Sequence, residues 1–128
     1  MKLEFRDGLI YTSIQVVYKG RTKEIKNVVI DTGAAETIIS PDVVEELGVI
    51  AEPTDKVKSF YGVGGSLHNF FTKMVDEIIL DKKKLSNIKV DFGMIDPRGC
   101  INGLMGLDLL MKIGAVIDLK ELSIRVDK

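Results

Sequence analysis

The sequence predicts a mostly β protein: one closed or strongly curled antiparallel β-barrel carrying one or two short helices. Three observations lead there. Apolar residues alternate with polar ones at period two in two stretches, Ile88, Val90, Phe92 and Met94, and then Leu122, Ile124 and Val126. Two β-rich runs, Leu9 to Tyr18 and Glu24 to Ile30, flank a Lys19-Gly20-Arg21 turn, which is a hairpin signal. Helical signals are few, and no linker or low-complexity stretch divides the 128 residues, so residues 1–128 are expected to form a single domain around one core.

Along the chain, the Leu9–Ile30 hairpin comes first. Ser40 then stands where a helix N-cap belongs, with Pro41 at the first helical position and Val43, Val44 and Leu47 on one side before a stop at Gly48; this predicts a helix of about two turns. Lys82-Lys83-Lys84 lies between apolar stretches and fits a solvated hairpin turn better than a polyanion site. The Ile88–Met94 strand follows. A second short helix is expected over Leu107 to Ile113, ending at Gly114. Val116–Leu119 and Leu122–Val126 complete a C-terminal hairpin.

Composition narrows the function. Apolar residues make up 45% and charged residues 29%, the balance of a folded globular protein rather than a disordered chain. A formal charge of −1 gives no overall attraction to nucleic acid or to an anionic membrane, so neither is an expected partner. Cys100 and His68 are each the only residue of their type, which removes an intrachain disulfide and leaves no Cys-based metal site; no metal or organic cofactor is expected. The segment Met1 to Asp7 carries charges where a secretory leader needs an apolar core, and no apolar run long enough to span a bilayer follows. The expected location is cytoplasmic.

The chemistry centres on Asp31-Thr32-Gly33. Val28-Val29-Ile30 is an apolar strand running straight into this tripeptide, so a carboxylate stands where a buried strand becomes a tight turn. An Asp that merely opens a turn is the ordinary alternative for three such residues alone. Two later segments weigh against it: the glycine-rich Tyr61-Gly62-Val63-Gly64-Gly65, and Leu104-Met105-Gly106 leading into the second short helix.

Taken in order, these segments resemble the retroviral-type aspartic proteases, the retropepsins. Asp31-Thr32-Gly33-Ala34 resembles their catalytic signature, Tyr61 to Gly65 the tip of the flap hairpin that closes over substrate, and Leu104 to Leu110 their second-half apolar-apolar-Gly motif with its helix. The resemblance implies the retropepsin-like acid protease fold and an endopeptidase with no cofactor. Such chemistry needs two carboxylates sharing a proton, yet the chain has no second Asp-Thr-Gly or Asp-Ser-Gly and is too short for two lobes. The partner carboxylate is therefore expected from a second copy, in a homodimer that places two Asp31 residues face to face.

By the same resemblance Asp31, Thr32 and Gly33 are the catalytic turn, with Thr32 bonding across the dimer. Ala34, Ala35, Glu36, Ile38, Tyr61, Gly62, Val63, Gly64 and Leu104 would bind an extended polypeptide substrate. Ala34, Ile38, Val63 and Leu104 would form pocket walls that favour apolar side chains beside the cut bond. Two features depart from the pattern: Ala35 replaces a second acidic residue, for which Glu36 is the nearest substitute, and residues 120–128 extend past the usual end as part of a C-terminal hairpin, which leaves the geometry of the dimer interface open. Asp108 and Asp118, outside any Asp-Thr-Gly turn, are assigned no part in the chemistry. A catalytically silent dimeric peptide-binding module on the same fold is the competing reading.

Overall fold

The computed structural model describes residues 1–61 and 67–126, with the backbone alone for Phe60 and Tyr61. The strands are β1 (Glu4–Arg6), β2 (Leu9–Tyr18), β3 (Arg21–Ile30), β4 (Ile38–Ile39), β5 (Lys56–Tyr61), β6 (Leu67–Leu80), β7 (Lys83–Phe92), β8 (Gly103–Met105), β9 (Ala115–Asp118) and β10 (Ser123–Val126). The α-helix is α1 (Leu107–Lys112). Strand order β2-β3-β8-β4-β7-β6 returns on itself through a β2–β6 ladder, which closes the expected barrel. Most ladders are antiparallel, but β3 pairs with β8 and β4 with β7 in parallel.

The β2–β3 hairpin forms as predicted. Lys19 and Gly20 both adopt positive φ, at 49° and 80°, the geometry of a two-residue turn whose twist matches its strands, and β3 begins at Arg21 rather than Glu24. One irregularity lies near its end. Thr12 pairs with Val28 and Ile14 with Ile25, so β3 spends one more residue than β2 between these rungs, a bulge at Lys26–Asn27. Asn27 takes φ 59° there. Its side-chain oxygen accepts from Arg6 at 2.7 Å, while Asn102 donates to the Lys26 carbonyl at 2.9 Å.

The helix expected from Pro41 to Leu47 is instead two single turns of 3-10 helix, Pro41–Val43 and Glu45–Leu47. Ser40 gives no side-chain cap, and Val44 at φ −118° leaves helical geometry between the two turns, where its β-branched side chain is fully buried. The second helix ends at Lys112, with Ile113 as its C-cap and Gly114 beyond it at φ 64°. Asp81 and Lys82 form the next hairpin turn, so Lys83 and Lys84 already belong to β7, and β7 stops at Phe92, before Met94.

Inward residues of the strands meet inside the barrel: Val16, Val28, Ile39 and Phe92 have no exposed surface, and Ile14, Ile25, Leu80 and Met105 almost none. The β9–β10 hairpin is a separate sheet. Met1–Leu3 lies along β10, with Leu3 N donating to Leu122 O at 2.8 Å and Ile124 N to Met1 O at 2.9 Å, so this terminal sheet is built within one chain.

Candidate active site

The apolar run Val28-Val29-Ile30 pairs with Gly103, Leu104 and Met105, and the ladder continues one step as Asp31 N donates to Met105 O at 2.9 Å. The chain then turns. Gly33 N donates to Asp31 Oδ1 at 3.0 Å and Ala34 N to Asp31 O at 3.2 Å, so the carboxylate folds over its own turn. Asp31 is half-buried, while Thr32 and Gly33 are exposed at the tip.

A second segment grips this turn from below. Leu107 N donates to Ala34 O at 2.8 Å and Asp108 N to Ala35 O at 3.2 Å. Gly106 makes this possible by lacking a side chain, since a Cβ there would lie 2.7 Å from Glu36 O and 2.8 Å from Ala34 O. Its φ of −91° is open to any residue, so space and not conformation demands glycine.

Thr37 and Asp108 complete the clasp. The Asp108 carboxylate accepts from Thr37 Oγ1 at 2.7 Å and from Thr37 N at 3.1 Å, and Thr37 Oγ1 accepts from Gly106 N at 3.0 Å. Thr37 is 1% exposed, so each of these polar groups needs the others. Asp108 also accepts from Leu109 N at 2.8 Å, which fixes it on the first turn of α1. Neither residue was among the predicted site residues. An Asp directly after the Gly106-Leu107 pair at a helix start was the available signal, but its partner stands 71 residues earlier.

Of the predicted site residues, Asp31, Thr32, Gly33, Ala34, Ala35 and Glu36 share this turn. Ile38 and Leu104 are half-buried cross-strand partners beside it. Tyr61 pairs through its backbone with Leu67. Gly62, Val63 and Gly64 lie outside the described residues.

Glu36 leads outward into a charged cluster. Lys58 donates to Glu36 at 2.7 Å and to Asp91 at 3.2 Å, and Thr72 Oγ1 donates to Asp91 at 2.6 Å. Hydrogen bonding to Glu36, against the opposing effect of burial, raises the Lys58 ammonium above the usual lysine range. Burial alone would raise the Asp91 carboxyl; hydrogen bonding with Glu36, Thr72 and Lys58 outweighs it and holds Asp91 below the usual carboxylate range. Among the described residues no group of three or more His, Cys, Asp or Glu side chains is placed to hold a metal ion.

A family model described as "gag-polyprotein putative aspartyl protease" matches residues 19–112, from the first hairpin turn to the end of α1. The chain belongs to this aspartyl protease family. Solved structures agree with the family at the level of fold. A retropepsin-like aspartic protease from Rickettsia conorii superimposes with a TM-score of 0.68 at 23% identity, over 96% of this chain and 86% of that one. The retroviral protease-like domain of Ddi1 from Leishmania major gives 0.64 at 17% identity, over 94% and 89%. EIAV protease in complex with the inhibitor HBY-793 gives 0.62 at 18% identity, over 91% and 98%. No curated protein matches the chain in sequence. The barrel is therefore a retropepsin-like fold, and the family is one of aspartyl proteases.

Proposed function

We propose that this protein is an aspartic endopeptidase that works as a homodimer, with one Asp31 carboxylate from each subunit. The observation that carries the proposal is the Asp31 turn itself. In a chain of this family, a carboxylate at a strand end is backed by the Gly106 clasp, and Thr32 and Gly33 are left exposed at its tip. One subunit supplies half of the pair, and a two-fold axis at the tip supplies the rest.

In the proposed reaction the ionised Asp31 takes a proton from a water held between the carboxylates, and the water oxygen attacks the peptide carbonyl. The protonated Asp31 of the partner subunit donates to the carbonyl oxygen, and the C–N bond breaks as the leaving nitrogen receives a proton. Activity should peak at the pH where the pair holds one proton and fall on either side. Gly33 and the flap segment at Tyr61, Gly62, Val63 and Gly64 bind an extended polypeptide by β-type hydrogen bonds. Ala34, Ile38 and Leu104 line apolar pockets beside the cut bond, and Ala35 and Glu36 contact the chain further out. The solitary Cys100 favours a reducing, cytoplasmic setting. Pepstatin-sensitive cleavage of a denatured protein is the expected result. Specific peptide binding without any cleavage would replace the enzyme with the silent module.

A further inference from the structure

Beyond Glu36 and Thr37 the wall of the turn continues into a cavity of about 600 Å³, floored by β5, β6 and β7 and closed on one side by the end of α1. We propose that this cavity is a distal subsite that selects an acidic side chain of the substrate polypeptide, held by Lys56, Lys89 and Lys112. The inference rests on the protease reading above.

Register places these lysines together. Lys56 pairs with Thr72 and Thr72 with Asp91, while Met74 pairs with Lys89, so the period of two sets all five residues, with Lys58, on one face of the three strands. Lys112 comes from the last turn of α1 on the facing wall. Lysines scattered on a strand face are ordinarily just solvated. Here the carboxylates that share the cavity are already committed. Glu36 and Asp91 hold Lys58, and Asp108 holds Thr37 and Leu109. Lys56, Lys89 and Lys112 are exposed and form no ion pair among the described residues. Three unpaired ammonium groups around one concavity favour an anion of side-chain size.

Position makes that anion a substrate side chain. Glu36, next to the Asp31 turn and assigned above to contact the substrate chain, lines this cavity together with Thr37 and Asp108 of the clasp, so the cavity adjoins the proposed path of an extended substrate.

The test uses fluorogenic peptides that differ only by Glu, Gln or Lys at each of the positions flanking the cut bond. It reads kcat/KM with the parent protein and anisotropy of binding with Asp31→Asn protein. At one position or more, Glu should exceed Lys by about tenfold, and the preference should shrink as salt is raised. It should vanish in a Lys56→Glu/Lys89→Glu variant and weaken in Lys112→Gln, all three substitutions confined to exposed side chains. Cleavage with equal kcat/KM for all three peptides, or a Glu preference untouched by the lysine variants, overturns the subsite and leaves the protease reading intact. Absence of cleavage together with Glu-selective binding overturns the protease reading and keeps the subsite. Neither cleavage nor charge-selective binding overturns both.

Discussion

Gly106 and Thr37 show how much of the candidate site depends on residues that take no part in the chemistry. Replacing Gly106 by Ala puts a methyl group against two carbonyl oxygens that cannot swing away, since both are backbone. The expected cost is about 1–3 kcal/mol, with weakened turnover, measured by denaturant unfolding and peptide cleavage. Thr37→Val keeps the shape but strips Gly106 N and Asp108 of a buried partner, so a loss of about 1–3 kcal/mol is expected in the same unfolding measurement. Asp91 adds a pH dependence. Its folded-state pKa is depressed, so its contribution is fully present above the ordinary carboxylate range and disappears as pH falls through the lower folded value. Unfolding free energy should therefore drop below about pH 4, and Asp91→Asn should flatten that acid limb in urea titrations across pH. The Asp31-Thr32-Gly33 turn was legible in the sequence because its bonds are local, Asp31 to Gly33 and Ala34. The Thr37–Asp108 contact was not, because only the β3–β8 and β4–β8 pairings bring those residues together.

At the scale of elements, β3 delivers Asp31 through a bulge. Asn27 at positive φ supplies the extra residue, and Arg6 and Asn102 secure it from neighbouring segments. A β-branched residue fits poorly at that φ and offers Arg6 no acceptor, so Asn27→Val should destabilise the protein by about 2 kcal/mol, whereas Asn27→Gly should cost less. Thermal unfolding of the two variants side by side checks this ordering. The β2–β3 hairpin and α1 were legible because each has a local signal, the Lys19-Gly20 turn and the Leu107–Ile113 pattern ahead of Gly114. The bulge and the split 3-10 segment had weaker ones: Asn27, a residue type that tolerates positive φ, lies between Ile25 and the strand-forming Val28-Val29-Ile30, and Val44 turns out of helical geometry while its side chain is buried in the core.

For the whole molecule, barrel closure followed from the alternating strands, and the parallel β3–β8 and β4–β7 ladders did not, because strand direction is fixed by connections that period-two patterns do not encode. In the terminal sheet, Met1–Leu3 of the same chain covers the β10 edge. The proposed dimer requires the exposed Thr32 tip to meet its copy across a two-fold axis. If each site needs two Asp31 carboxylates, parent protein and Asp31→Asn protein form mixed dimers that are inactive. The most direct measurement is cleavage by a fixed amount of parent protein after exchange with an equal amount of Asp31→Asn protein. Random pairing predicts that turnover falls to about half of the parent value, and further with excess variant. Turnover that stays at the parent value, with subunit exchange verified in the same sample, would contradict a shared site.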